Sequence, residues 1–205
     1  MQETQAKISP KISPKTPLKT PRDPPSLITL KDGSAVTLRP MTAFDANRIV
    51  SFAQSLPAND LLHLRMDITK PEVVMQWVRN LEEKTTLTVI AEASGKIAGY
   101  AILHHNQVTW QRHLGEIRIL VGPEYRSHGL GRKLAQEIFA IAHDMGLSRI
   151  VAQMTPDQKA AVATFERLGF QPEALLSDFV IDRDGRTSDL MIMAYDVTGF
   201  GEHTV

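Results

Sequence analysis

Val121-Gly122-Pro123-Glu124-Tyr125-Arg126-Ser127-His128-Gly129-Leu130-Gly131-Arg132-Lys133-Leu134 is the stretch on which the reading of this chain turns. It leaves an apolar, strand-like run, Ile117 to Val121, and enters a helix-like run, Arg132 to Met145. Between them stands Arg-x-x-Gly-x-Gly, carried by Arg126, Gly129 and Gly131. Such a loop can aim several backbone N–H groups at one point. Unpaired donors and the positive end of a helix dipole both favour negative charge there. Glycine has no Cβ to hold a pyrophosphate away from the backbone. The loop therefore points to a phosphate-bearing ligand. Taken alone, the same residues also satisfy a glycine-eased helix start with no ligand, so the rest of the chain must decide.

Two familiar phosphate loops do not fit. No Gly-x-x-x-x-Gly-Lys-Ser/Thr occurs. The dinucleotide fingerprint needs three glycines, and His128 stands where the first would be required.

Working outward, Leu114 to Val121 reads as one strand. Before it, Leu87 to Glu92 and Ile97 to His105 form an antiparallel hairpin around Ala93-Ser94-Gly95-Lys96. After the loop, Leu134, Ile138, Ile141, Ala142 and Met145 make one apolar helix face that stops at Gly146. Arg149 to Met154 is a buried-type strand, parallel to its predecessor if the crossover is ordinary. Thr155-Pro156-Asp157-Gln158 predicts a helix start with Thr155 as N-cap, ending at Leu168-Gly169. Leu176 to Ile181 and Ser188 to Tyr195 flank a hairpin turn at Asp182-Arg183-Asp184-Gly185-Arg186. Toward the N-terminus, two short strands surround Asp32-Gly33, and a helix opens at Thr42 with Asp45 at N3. A short helical segment runs through Met66. Thr69-Lys70-Pro71-Glu72 reads as a capping box opening a helix striped by Val73, Val74, Trp77, Val78 and Leu81.

A chain of 205 residues, 42% apolar, suits one domain plus a tail. With no cysteine there is no disulfide framework, thiolate nucleophile or cysteine metal site, which fits a cytoplasmic protein. No apolar run approaches the roughly 20 residues of a membrane helix, and no hydrophobic leader opens the chain. Residues 1–26 are rich in Pro, Lys, Ser and Thr and are expected to be a disordered tail. They hold five basic residues against Glu3 and Asp23, a net of +3, so in a chain of 23 basic and 23 acidic residues the remainder carries −3. A body of that sign is a poor nucleic-acid surface.

Strand, Arg-x-x-Gly-x-Gly and helix, in that order, resemble motif A of the GNAT superfamily of acyl-CoA N-acyltransferases. Phe165-Glu166-Arg167-Leu168-Gly169-Phe170 is similar to that family's Tyr-Glu-Lys-Leu-Gly-Phe segment. Shorter stretches look like the catalytic domain of bacterial Pat-type protein lysine acetyltransferases. They are Ser55-Leu56-Pro57, Leu61-Leu62-His63-Leu64-Arg65, Glu116, and Asp182-Arg183-Asp184-Gly185 with Asp189-Leu190. The resemblance spans residues 27–198, leaving 199–205 as a flexible C-terminus. It implies an α/β GNAT fold, a central mixed and mostly antiparallel sheet with a splayed parallel strand pair, flanked by helices.

It also implies an N-acetyltransferase that moves acetyl from acetyl-CoA, its co-substrate, to a primary amine by direct attack in a ternary complex. The acceptor would be a protein lysine or a small-molecule amine, and no metal is expected. A monomer or homodimer is expected, with neither nucleic acid nor membrane as a partner. By the same resemblance the backbone of Leu120 and Val121 pairs with the pantetheine. Arg126, Ser127, His128, Gly129, Leu130, Gly131 and Arg132 cradle the pyrophosphate. Glu116 is the candidate general base, with His104 and His105 behind it. The chain departs from the pattern in two places. Phe165 stands where many members place a proton-donating tyrosine, and Gln158 where they place asparagine. A competing reading is a non-catalytic acyl-CoA-binding module.

Overall fold

Alternating apolar positions lay down one sheet with a core on each side. The computed structural model describes residues 25–62, 64–182 and 185–197. Its strands are β1 (Ser26–Thr29), β2 (Ala35–Pro40), β3 (Thr86–Ala93), β4 (Lys96–His105), β5 (Leu114–Val121), β6 (Arg149–Met154), β7 (Gln171–Ile181) and β8 (Thr187–Asp196). They lie in the order β1-β2-β3-β4-β5-β6-β8-β7. Neighbours are antiparallel except β5 and β6, which run parallel. This is the mixed, mostly antiparallel sheet that the sequence predicts. The expected tail, all but its last two residues, lies outside the described residues, as do 199–205 and the tip of the β7–β8 turn.

Helices α1 (Ala46–Gln54), α2 (Ala58–Leu62) and α3 (Pro71–Glu82) precede β3, while α4 (Leu130–Asp144) and α5 (Lys159–Arg167) follow β5 and β6. On β4 the period-2 pattern divides the two cores. Tyr100 and Ile102 pack with Ile49, Phe52, Val74 and Trp77 of α1 and α3. Ala101 and Leu103 pack with Leu130, Leu134 and Ile138 of α4. The buried Trp77 indole donates to the Thr88 hydroxyl at 3.0 Å, so its one polar atom is satisfied.

The helix starts differ from the sequence reading in two places. At α3 the N-cap is Lys70 with no side-chain cap, and Thr69 sits one residue earlier in a local turn with Asp67, its hydroxyl donating to Oδ1 at 2.5 Å. At α5 the helix begins at Lys159, because Thr155 to Gln158 closes as a separate turn. The reaching-back half of the predicted box is in place, with Gln158 Oε1 accepting the Thr155 N–H at 3.1 Å. At α1, by contrast, the Asp45 carboxylate accepts from the Thr42 N–H and hydroxyl as expected.

Candidate active site

The parallel pairing of β5 with β6 runs only from Leu114–Arg149 to Ile117–Ala152. Beyond it Arg118 to Val121 continue β5 with no β6 partner, and the two strands splay. On its other side β5 stays paired with β4 to Val121, opposite Gly99. The alternation of an antiparallel ladder turns the Leu120 N–H and C=O toward β4, and those of Ile119 and Val121 into the gap. Leu120, singled out by the sequence, thus commits its peptide groups to the sheet. Ile119, which sequence reading passed over, offers an N–H and a C=O there. The signal that finds it is strand parity, legible only once the register is known. Gly99 is needed for this closeness, since a Cβ there would stand 2.6 Å from the Leu120 carbonyl oxygen.

The gap opens onto the glycine loop. Pro123–Tyr125 makes one short 3-10 turn. Arg126 uses its own N–H on the Pro123 carbonyl at 3.3 Å and its Nε on the Val121 carbonyl at 3.1 Å. Its guanidinium also pairs with Asp60 of α2. The backbone then turns left-handed at Ser127 (φ 65°) and Gly129 (φ 92°), and Gly129 caps α4. From Ser127 through Arg132 no backbone N–H has a hydrogen-bond acceptor among the described residues. The loop is held from behind by Leu130, fully buried beneath it, and by the Lys31 N–H donating to the His128 carbonyl at 3.1 Å. His128 Nδ1 lies 3.1 Å from Asp32 Oδ2, and Arg132 is exposed at the first turn of α4. Six consecutive N–H donors at a helix N-terminus fit a pyrophosphate.

Side chains of β5 alternate between the two cores. Ile117, Ile119 and Val121 join α4, while Leu120 joins the α1–α3 side. Glu116 and Arg118 share the latter face by the same parity. Arg118 Nη2 donates to Glu116 Oε1 at 2.5 Å, and Arg65 Nη1 approaches the same carboxylate at 3.2 Å from beyond α2. Asp60 is thus tied to the glycine loop through Arg126, and Arg65 to β5 through Glu116. His104 stands directly across on β4. Its Nδ1 is 3.0 Å from the Thr86 hydroxyl, and burial pushes its pKa down, so the imidazole is held neutral. His105 points to the opposite face and is buried; burial pushes its pKa down, partly offset by hydrogen bonding to the Lys84 backbone.

Phe165 is 7% exposed and packs edge-on against Phe170, ring centroids 4.9 Å apart, in the α4–α5 core. No proton donor stands at that position. Among the described residues no three His, Cys, Asp or Glu side chains gather as a metal site, and no helix is long and apolar enough to cross a membrane.

The sequence family model for acetyltransferases of the GNAT family matches residues 59–170, which run from α2 through the gap and loop to the end of α5. This chain belongs to the GNAT acetyltransferase family. As a GNAT protein it is an acyltransferase, and the family takes its acyl group from acetyl-CoA. The [ribosomal protein bS18]-alanine N-acetyltransferase of Escherichia coli K12 is 30% identical over 105 residues, 51% of this chain and 68% of that relative. The GNAT domain of S. lividans PAT superposes with a TM-score of 0.68 at 20% identity, covering 84% of this chain and 96% of that one. YncA of Salmonella typhimurium, solved with its cofactor acetyl-CoA, gives 0.69 at 22%, covering 83% and 96%.

Proposed function

We propose that this GNAT enzyme transfers an acetyl group from acetyl-CoA to a primary amine, of a protein lysine or a small molecule, within one ternary complex. The observation that carries the reading is a single strand end. There β5 leaves β6 with the Ile119 peptide groups and the Val121 N–H turned into the gap, leads into a loop of N–H donors, and carries Glu116 just before the splay.

In this reading residues 27–198 are the catalytic domain. Pantetheine lies in the gap along Ile119, Leu120 and Val121, as an extra strand would. The pyrophosphate lies against the N–H groups of Ser127, His128, Gly129, Leu130, Gly131 and Arg132, with the Arg132 guanidinium beside it. Arg126 braces the loop on Val121 and Asp60. The acceptor approaches over the Glu116 face. Glu116 takes the proton of the ammonium, directly or through water, and the neutral nitrogen attacks the thioester carbon. The C–N bond forms, the oxyanion is met by backbone N–H at the gap, and the C–S bond breaks. The thiolate leaves without a protein acid, since Phe165 cannot supply one, and the proton that the attacking nitrogen sheds once the C–N bond has formed passes through water to the thiolate, giving the amide and CoA thiol. Holding both substrates together replaces a covalent enzyme intermediate. The cysteine-free sequence suits a cytoplasmic setting.

The test is acetyl-CoA consumption against a panel of small primary amines and lysine peptides, with products identified by mass. One CoA released per N-acetyl product is expected. Tight acetyl-CoA binding with no acetylated amine in the panel would favour a non-catalytic binding module instead.

A further inference from the structure

The charges around Glu116 do not balance, and the surplus points to the acceptor. We propose that the amine acetylated here also carries an oxyanion, a carboxylate or its equivalent, held by Arg65 and Arg118. This rests on the reading above that the acceptor docks on the Glu116 face.

Two guanidiniums converge on one carboxylate. Arg118 uses Nη2 on Glu116, while its Nε is buried with no acceptor among the described residues. A buried, charged donor without a partner is costly, and an arriving oxyanion would relieve it. Arg65 is 65% exposed and reaches Glu116 with Nη1 alone, at 3.2 and 3.4 Å. Those are long contacts for a charge-assisted bond, and they leave the rest of its fork facing solvent. A guanidinium offers five donors in a plane that matches a carboxylate in two-point fashion.

Among the described residues, the two titratable groups flanking this cluster on β4 and α2 bring it no free negative charge. His104, across from Glu116, is held neutral by burial. Asp60, the carboxylate at the other end of the Asp60–Arg65 segment, is paired with Arg126. A polycationic acceptor would therefore meet two arginines and carboxylates already occupied. An anionic group meets two cations sharing one carboxylate. Arg118 stands two residues from Glu116 on the same strand face. An amine at Glu116 and an oxyanion at the guanidiniums thus belong to one small molecule or to adjacent residues of a peptide.

The experiment compares matched acceptors in wild type, Arg65→Ala and Arg65→Lys. One arm pairs free amino acids with their carboxamides. The other pairs lysine peptides bearing Glu beside the lysine with peptides bearing Gln. In wild type the charged member of a pair should have a KM lower by about 10- to 100-fold, the worth of one charge-assisted hydrogen bond. Preference in the first arm identifies a free carboxylate as the source, and preference in the second an acidic side chain. Arg65→Ala should shrink the ratio of KM values between the neutral and charged members of a pair, whatever its effect on the kcat they share through Glu116, with Arg65→Lys recovering part of the preference. An unchanged acetyl-CoA thermal shift in each variant confirms that the fold is intact. Equal KM values in wild type, or a preference undiminished in Arg65→Ala, would overturn the proposal while leaving acetyl transfer standing. No transfer to any acceptor despite acetyl-CoA binding would bring down the underlying functional reading, and this proposal with it.

Discussion

Glu116 is a carboxylate 18% exposed and held by Arg118 and Arg65, with neutral His104 across the sheet. Its candidacy comes from the GNAT resemblance, in which a glutamate stands at this place on the strand before the glycine loop. The arginines around it were not legible. Arg118 is two residues away, but Arg65 is 51 residues away and is brought there only by the fold. If Glu116 accepts the amine proton, Glu116→Gln keeps the size and removes the acceptor. We expect kcat to fall by about 10² to 10⁴ while acetyl-CoA binding is retained. Raising pH should partly restore the rate by deprotonating free amine. Matching pH profiles of kcat/KM in the two proteins would remove Glu116 from the mechanism and make His104 the next residue to test. His105 faces the other core and belongs to stability instead. Because burial disfavours its charged form, His105→Leu should leave the melting temperature unchanged or raise it at pH 5.5. A fall there would show that the imidazole is satisfied in solution.

The elements were easier to read than their ends. β5 and β6 run from Leu114 to Val121 and Arg149 to Met154, as apolar runs bounded by polar and glycine residues predict. Boundaries went astray where a local turn intervened, as Asp67 and Thr69 form before α3 and Thr155 to Gln158 before α5. The splay itself lies beyond sequence periodicity, because it depends on where pairing stops and not on which residues are apolar. Gly99 offers a test of that geometry. A Cβ there would meet the Leu120 carbonyl oxygen at 2.6 Å and the Val121 Cα at 3.2 Å, both backbone. Gly99→Ala should cost about 1–3 kcal/mol in denaturant unfolding and weaken acetyl-CoA binding, since relief requires moving the end of β5. Gly115→Ala is a fair control. Its new methyl would meet the ends of Leu103 and Leu147 side chains, which can turn aside. Equal losses at both sites would argue against a rigid β5 end.

Two features govern the molecule as a whole, its charge network and its ligand. Burial would push the Asp45 carboxyl up, but hydrogen bonds from Arg39 and Thr42 outweigh it and hold the pKa at about 2. Hydrogen bonding from Arg39 likewise lowers Glu92. Groups lowered in the fold add stability that is complete above their unfolded values, near 4 for carboxylates, and is lost as pH falls toward 2. Lowered His104 and His105 act in the same direction, beginning as pH drops below about 6.5. The melting temperature should therefore decline in two stages on acidification, and Asp45→Asn should weaken the lower one. A flat profile from pH 7 to 3 would contradict both assignments. The ligand matters more to the account, which holds that acetyl-CoA lies in the β5–β6 gap with its pyrophosphate on the loop from Ser127 to Arg132. A ligand at 100 times its Kd stabilises the fold by about 2.7 kcal/mol, worth roughly 5–10 °C for a domain of this size. The most direct measurement is the melting temperature with and without acetyl-CoA, in wild type and in Gly129→Glu. That substitution puts bulk and negative charge on a residue at φ 92° within the cradle. The account predicts a clear rise in wild type and none in the variant, whereas an equal rise in both would contradict it.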